Sequence, residues 1–262
     1  MSERPIAARW NIVREERRAA LIPYITAGYP STEGTADLLR MLEAEGADLI
    51  EVGIPFSDPL ADGPTIQRST HAALQGGMTV ARMLEAVDRA NLSVPLIAFT
   101  YLNPILQFGL PRFVDAAASA GVSGVLLTDL PWGADPGIER VLRRSDLDVI
   151  QLVAPTTAPA RRATIAAAAQ GFLYVIARLG VTGTSTTIGE ALPRAVRELR
   201  SETDLPIVVG FGIETADQAR AIADFADGVV VGSALVRRLA EGLPAAAELM
   251  RSLRGALRPA PV

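Results

Sequence analysis

The chain has 262 residues, 49% of them hydrophobic, and a formal net charge of -4. It contains no Cys, which excludes disulfide frameworks, thiolate zinc sites and cysteine nucleophiles. All 25 basic side chains are Arg, so no lysine amine is available to form a Schiff base or to hold pyridoxal phosphate. Acidic and basic residues are scattered without a basic face, and no segment approaches the ~20 apolar residues of a membrane span. We therefore expect a soluble, cytoplasmic protein that binds neither nucleic acid nor membrane.

Eight short apolar runs rich in β-branched residues alternate with segments of helical spacing. The runs predict strands at 21–26, 48–54, 94–101, 124–129, 149–153, 173–177, 206–210 and 228–232. The intervening segments predict helices that include 35–45, 80–90, 111–120, 159–169, 192–200 and 216–225. We expect Ser31 to cap the first of these helices. Glycines are expected just after the last turns of three helices, at Gly46, Gly121 and Gly171.

Strands that read as continuous apolar runs indicate a parallel sheet covered by helices, and eight of them close most simply into a (β/α)8 TIM barrel. A doubly wound open sheet is the alternative. It would normally carry a Gly-rich phosphate turn after the first strand, which the sequence TAGYP at 26–30 lacks. We expect residues 1–262 to form one α/β domain, with extra helices at the N-terminus and in the loops after strands two and eight. The segment 179–189 is a further long loop at the barrel mouth.

The segment EVGIPFSDPLADGPTIQ, residues 51–67, places three acids in and directly after the second strand. Acids are poor strand formers and are costly to bury, so Glu51 inside an apolar strand indicates a role in proton transfer. Prolines stiffen the following loop and present Asp58 and Asp62 with little backbone freedom. Because polar residues at the carboxyl ends of barrel strands face the active site, we expect Glu51 and Asp62 to lie there together.

Each of these acids also has a purely structural interpretation. Glu51 could form a buried ion pair with Arg178 or with another arginine. Asp58 and Asp62 could brace their turn by accepting hydrogen bonds from nearby backbone N–H groups. The sequence alone leaves these alternatives open.

Aromatic side chains and glycines near the other strand ends indicate what the site binds. An aromatic or heteroaromatic ring would fit among four side chains, Tyr24, Phe99, Tyr101 and Tyr174. Turns with glycine follow strands six, seven and eight, and the last of them opens a helical stretch at 234–239 whose N-terminal amides favour an anion. The residues in these turns are Gly183, Gly210, Gly212, Gly232 and Ser233. They predict a phosphorylated substrate, although any one glycine could instead serve a turn that needs positive φ.

Six segments follow one another between about residues 21 and 238: LIPYITAGYP, EVGIPFSDPLADGPTIQ, FTYLNPI, ARLGVTGT, GFGI and VGSA. Together they resemble one known family, the alpha subunit of tryptophan synthase. The resemblance implies a carbon–carbon lyase of tryptophan biosynthesis that cleaves indole-3-glycerol phosphate to indole and glyceraldehyde 3-phosphate. It implies no cofactor in this chain. A beta subunit carrying pyridoxal phosphate is the implied partner, which condenses the indole with serine in a tetramer of two alpha and two beta subunits.

The resemblance also assigns roles to individual residues. The family's catalytic pair falls on Glu51 and Asp62. Positions near its beta-subunit interface fall on Pro55 and Asp58. No metal ligand is implied. Its indole pocket, lid threonine and phosphate contacts fall on a larger set, Tyr24, Phe99, Tyr101, Val153, Tyr174, Thr182, Gly183, Phe211, Gly212, Gly232 and Ser233.

The implied reaction gives the two acids distinct tasks. Asp62, ionised, would hydrogen-bond the ring N–H, and Glu51 would carry protons to ring carbon C3 and from the adjacent hydroxyl. Three alternatives remain. The carboxylates could bind Mg²⁺ and act on another sugar phosphate, the barrel could be a non-catalytic regulatory subunit, or it could work alone and release free indole.

Overall fold

The computed structural model describes residues 3–176, 190–210 and 212–257. Its eight strands form a closed parallel barrel in which neighbours along the chain pair and the last strand pairs with the first. The strands are β1 (Ala20–Thr26), β2 (Ile50–Gly53), β3 (Leu96–Thr100), β4 (Val122–Leu127), β5 (Asp148–Val153), β6 (Leu173–Ile176), β7 (Ile207–Gly210) and β8 (Gly228–Val231). The predicted (β/α)8 barrel is confirmed, and the open-sheet alternative is wrong.

Twelve helices lie within the described residues. They are α1 (Pro5–Glu15), α2 (Thr35–Ala44), α3 (Pro64–Gln75), α4 (Val80–Ala90), α5 (Leu102–Phe108), α6 (Leu110–Ser119), α7 (Pro136–Arg144), α8 (Pro159–Ala168), α9 (Ala191–Arg200), α10 (Ala216–Ala223), α11 (Ser233–Glu241) and α12 (Leu243–Ala256). The predicted extra helices are present as α1, α3 and the α11–α12 pair, whereas α5 and α7 were not among the predicted helices. The predicted loop at 179–189 lies outside the described residues. Across the described ranges, no helix is long and apolar enough to cross a bilayer.

Glycines follow the helices where the chain must turn sharply. Gly46, Gly121 and Gly171 have φ of 89°, 95° and 68°, a region that side chains with a Cβ disfavour, as predicted from their positions. The prediction that Ser31 caps α2 is wrong. The residue before α2 is Gly34, and the Ser31 hydroxyl instead accepts a hydrogen bond from the Gly34 N–H at 3.3 Å, which braces the turn ahead of the helix.

The core has two layers, one between the barrel and its helices and one inside the barrel. Helix α1 closes the amino-terminal end of the inner layer with Ile6 and Trp10, which are 0% and 2% exposed. The Trp10 ring meets Phe172 edge-on, with centroids 6.0 Å apart. A Cβ at Gly228 would lie 3.0 Å from the Trp10 ring, so the absence of a side chain at this position leaves room for the Trp10 side chain. One end of the barrel is therefore plugged by apolar side chains, and the other end holds the polar residues considered next.

Candidate active site

Glu51 lies inside the barrel near the carboxyl ends of the strands. Ile50 and Val52 pack in the outer layer, so alternation along β2 turns Glu51 inward. The side chain is fully buried, and neither carboxyl oxygen has a hydrogen-bond partner among the described residues. Burial alone raises the pKa of Glu51 to about 8. None of the described arginines pairs with it, and Arg178 lies outside the described residues.

Asp62 lies in the loop between β2 and α3 and is in contact with Tyr101. Burial raises the pKa of Asp62 to about 6, and a hydrogen bond with Tyr101 partly offsets this effect. The Tyr101 hydroxyl also accepts a hydrogen bond from the backbone N–H of Ala61 at 2.9 Å. Burial and the nearby Asp62 charge raise the pKa of Tyr101 to about 12, so the phenol stays protonated and can donate to the carboxylate.

Two tyrosines inside the barrel lean over glycines of the neighbouring strands. A Cβ at Gly53 would lie 2.2 Å from the Tyr24 hydroxyl, and one at Gly210 would lie 2.0 Å from the Tyr174 hydroxyl. Both glycines are therefore required by the close approach of a phenol. The Tyr24 ring also meets Phe99 edge-on, with centroids 5.3 Å apart. Burial raises the pKa of both tyrosines well above the usual range.

These side chains surround one cavity of about 90 Å³. Its lining residues come from β1, β2, β3, β6, β8, α3, α11 and the connecting loops, and are Tyr24, Glu51, Asp62, Gly63, Ile66, Phe99, Tyr174, Gly212, Val230, Gly232 and Ser233. The cavity thus combines two acids of raised pKa with aromatic walls and a glycine-rich edge.

The glycine-rich edge is the start of α11. Gly232 precedes the helix without any side-chain cap, and the first helical hydrogen bond runs from the Val236 N–H to the Gly232 carbonyl at 3.0 Å. The amides of the first turn, beginning with Ser233, therefore have no partner within the helix and favour an anion. Gly212, with φ of 75°, approaches the same cavity from the loop after β7.

The structure brings most of the predicted site residues together. Tyr101 does not line the cavity but contacts Asp62, which does. Pro55 and Asp58 lie on the adjoining loop, where Pro55 is buried and Asp58 is exposed. The predicted residues Thr182, Gly183 and Phe211 lie outside the described residues. Eight predicted residues line the cavity, namely Tyr24, Glu51, Asp62, Phe99, Tyr174, Gly212, Gly232 and Ser233.

Val153 does not join them. It packs in the outer layer between barrel and helices, whereas Leu152 packs against the inner layer and pairs with Tyr174. The indole-pocket assignment of Val153 is therefore corrected, because successive strand residues face opposite sides of the sheet. Leu152 is the residue of β5 that faces inward at this level.

Three lining residues were not predicted. Val230 lies two residues before Gly232, so strand alternation could have identified it. Gly63 directly follows Asp62, and its contact with the cavity depends on the fold of the loop. Ile66 enters from α3, a helix that was predicted after the second strand, but no sequence signal indicated which of its residues faces the cavity. In residues 3–176, 190–210 and 212–257, no three His, Asp or Glu side chains form a group that could hold a metal ion.

Comparison with known proteins agrees with this arrangement. A family model described as tryptophan synthase alpha chain matches residues 11–256. The alpha chain of Acidiphilium cryptum is 47% identical over 243 residues, which cover 92% of this chain and 88% of the relative. The alpha chain of Synechococcus elongatus is 44% identical, with 95% and 96% covered.

Solved structures give the same result. A chain of Mycobacterium tuberculosis tryptophan synthase is similar with a TM-score of 0.91 and 38% identity, covering 99% of this chain and 100% of that chain. Tryptophan synthase subunit alpha of Legionella pneumophila is similar with a TM-score of 0.89 and 36% identity, covering 98% and 99%. The chain therefore belongs to the tryptophan synthase alpha chain family.

Proposed function

We propose that this chain cleaves indole-3-glycerol phosphate to indole and glyceraldehyde 3-phosphate, as an alpha subunit of tryptophan synthase in tryptophan biosynthesis. The observation that carries the proposal is Glu51, a buried carboxyl group without a partner among the described residues, in one cavity with Asp62. An unpaired buried acid is costly to the fold, so stability does not account for it. A reaction that moves protons at a buried ring does.

The cavity supports a substrate that is aromatic at one end and anionic at the other. We place the indole ring among the aromatic walls formed by Tyr24, Phe99 and Tyr174. We place the phosphate at the free amides of α11, which begin at Ser233, where the helix dipole favours negative charge. This orientation sets the reacting carbon of the ring beside the two acids.

The two acids would divide the chemistry. Glu51 donates a proton to C3 of the indole, which leaves an indolenine whose positive charge centres on N1. Asp62, ionised, accepts a hydrogen bond from N1–H and stabilises that charge. The bond from C3 to the side-chain carbon then breaks, its electrons restore the aromatic ring, and the side-chain hydroxyl becomes the aldehyde. The hydroxyl proton goes to the Glu51 carboxylate, so Glu51 ends the cycle protonated.

The pKa values support this division. With the pKa of Glu51 raised to about 8 and that of Asp62 to about 6, the first is mostly protonated and the second mostly ionised near pH 7. A proton donor and a charge-stabilising carboxylate are therefore both available at the same pH.

We further propose that a beta subunit carrying pyridoxal phosphate uses the indole, within a tetramer of two alpha and two beta subunits. The cofactor belongs to the partner, because this chain has no lysine with which to hold it. The surface of this chain on which the beta subunit docks would include the loop with Pro55 and Asp58. The same loop carries Leu60, 94% exposed, an apolar side chain that a partner would cover.

An assay of the purified chain with indole-3-glycerol phosphate, alone and with a tryptophan synthase beta subunit, tests the proposal. We expect indole from the wild type and almost none from Glu51→Gln. If the wild type produced no indole either alone or with the beta subunit, the lyase proposal would be refuted. Activity that EDTA abolishes would favour the Mg²⁺-dependent alternative. If the wild type and Glu51→Gln stimulated the beta subunit equally and neither cleaved the substrate, a regulatory role would be favoured. If the wild type cleaved the substrate but did not associate with the beta subunit, a stand-alone lyase would be favoured.

A further inference from the structure

Asp62 has no regular secondary structure of its own and depends on helix α3, which begins two residues later at Pro64. The side-chain amide of Gln67 on α3 donates a hydrogen bond to the backbone carbonyl of Asp62 at 2.9 Å. On the other side, the Tyr101 hydroxyl accepts from the N–H of Ala61. The location of the Asp62 carboxyl group is therefore set jointly by Tyr101 and by the placement of α3.

Helix α3 is joined to the barrel by a buried pair of hydroxyl groups. The Oγ1 atom of Thr26 on β1 and the Oγ atom of Ser69 on α3 lie 2.7 Å apart, and each residue is 1% exposed. The Ser69 hydroxyl also donates to the backbone carbonyl of Ile66 at 2.8 Å. Ile66 lines the cavity, so the hydroxyl pair lies directly behind the cavity wall.

The direction of these hydrogen bonds follows from their donors. A hydroxyl carries one proton, and Ser69 uses its proton on the Ile66 carbonyl, so Thr26 donates to Ser69. A directed pair of hydrogen bonds thus runs from Thr26 on β1, through Ser69, to the Ile66 carbonyl in the first turn of α3.

We propose that Ser69 is a positioning residue for the cleavage reaction, because its hydrogen bond with Thr26 fixes α3 on β1 and so holds Asp62 beside Glu51. The inference rests on the proposed role of Asp62. Ser69 touches no substrate atom, and its loss removes no charge from the site. It would instead let α3 shift and bring more water to the half-buried Asp62, whose raised pKa depends on that burial.

Steady-state kinetics and pH profiles of Ser69→Ala and Thr26→Val test this inference. We expect kcat to fall about 5- to 20-fold with KM within about twofold, because the substrate contacts remain while the geometry of one acid is lost. The acidic limb of the kcat/KM profile should move to lower pH by roughly half a unit or more as Asp62 becomes hydrated. The double variant should be no slower than the slower single variant, because both changes remove the same hydrogen bond.

Matched variants separate this role from a loss of stability. Thr26→Ser keeps the hydroxyl and should keep most of kcat. Ser201→Ala removes a hydrogen bond of the same type, 2.7 Å from its hydroxyl to the Glu198 carbonyl, at the exposed C-terminal end of helix α9, and should show the wild-type kcat and profile. Thr26→Val preserves side-chain shape and keeps the test available if Ser69→Ala fails to fold.

The outcomes also separate this inference from the proposed function. Asp62→Asn that retains full cleavage would contradict the role of Asp62 itself. Inactive Asp62→Asn, together with Ser69→Ala and Thr26→Val proteins that melt at a lower temperature but keep the wild-type kcat and acidic limb, would overturn the positioning role alone.

Discussion

Two buried carboxyl groups close together in the sequence differ in every contact they make. Asp48 lies just before β2 and Glu51 within it, and they are 2% and 0% exposed. Asp48 accepts two hydrogen bonds from Arg18, both at 2.6 Å, one from the Leu21 N–H at 2.9 Å and one from Arg254 at 3.4 Å. Glu51 accepts none from any described residue.

The difference separates an acid that serves the fold from one that serves chemistry. At the plugged end of the barrel, the cost of burying Asp48 is offset by two guanidinium groups, those of Arg18 and Arg254, and by a backbone amide. At the open end the same cost is left uncompensated at Glu51, which is tolerable only because the carboxyl group can stay protonated. The contrast predicts that substitution of Glu51 reduces activity and spares stability, whereas substitution of Asp48 reduces stability and spares activity.

The largest effect is expected from Glu51→Gln. The amide keeps the size of the side chain but cannot donate a proton to carbon, so kcat should fall about 10³- to 10⁴-fold with little change in KM. Stopped or continuous measurement of indole release checks this. A variant that retained a tenth of wild-type kcat would contradict the proton-carrier role.

Stability measurements on the same variant sharpen the comparison. Native Glu51 keeps its proton up to about pH 8, whereas the unfolded chain loses it near its usual pKa of 4.5. The wild type therefore loses stability as the pH rises through this window, and Gln removes that loss. Urea unfolding at pH 5 and pH 8 should show Glu51→Gln gaining relative to the wild type at the higher pH.

Asp48→Asn should damage the fold and spare the chemistry. Removing this charge leaves Arg18 buried without its main partner, and breaking such a pair costs about 3–5 kcal/mol. Urea unfolding should show this loss, while kcat per folded molecule stays near the wild-type value. A large fall in kcat with unchanged stability would contradict the division of roles.

Gly232→Val should act on binding of the phosphate. A Cβ at Gly232 would make only ordinary contact, 3.5 Å from the Tyr24 Cβ, but the two methyl groups would intrude on the cavity edge at α11. We expect KM to rise about 10- to 100-fold, with a smaller effect on kcat. Gly255→Ala on α12, where an added Cβ meets nothing within 4 Å, is the control and should leave KM unchanged.

The smallest effect is expected from pH alone. Protonation of Asp62 below about pH 6 removes the charge that stabilises N1, and ionisation of Glu51 above about pH 8 removes the proton donor. The profile of kcat/KM against pH should therefore be bell-shaped. We expect kcat/KM to fall about tenfold within one to two pH units below the pKa of Asp62 and above the pKa of Glu51. A profile flat from pH 5 to pH 9 would contradict both assignments.

The barrel could be predicted from sequence because its strands are buried on both faces and read as unbroken apolar runs. The ends of the strands were less certain. The second strand was predicted at 48–54 but spans Ile50–Gly53, since the backbone bends at Asp48 and Leu49 before the strand begins. Helix α5 went unpredicted because its seven residues give too short a pattern to show a helical period.

The acids and the glycine turns could also be predicted, because each breaks a local rule of the strand or turn that contains it. Val153 shows the limit of that approach, since an error of one residue in a strand reverses the side that a residue faces. Ile66 and Ser69 show another. Their roles depend on which face of α3 packs on the barrel, and no local pattern in the sequence specifies that orientation.

The packing of Trp10 against Gly228 has a consequence for how the chain folds. Helix α1 cannot complete its contacts until β8, the last strand, is available. During synthesis, the Trp10 side chain therefore lacks its contact with Gly228 until nearly the whole sequence has been made. Closure of the barrel should then be a late, long-range event, slow by comparison with helix formation. Fluorescence of Trp10, measured in a Trp132→Phe background, would report that event directly.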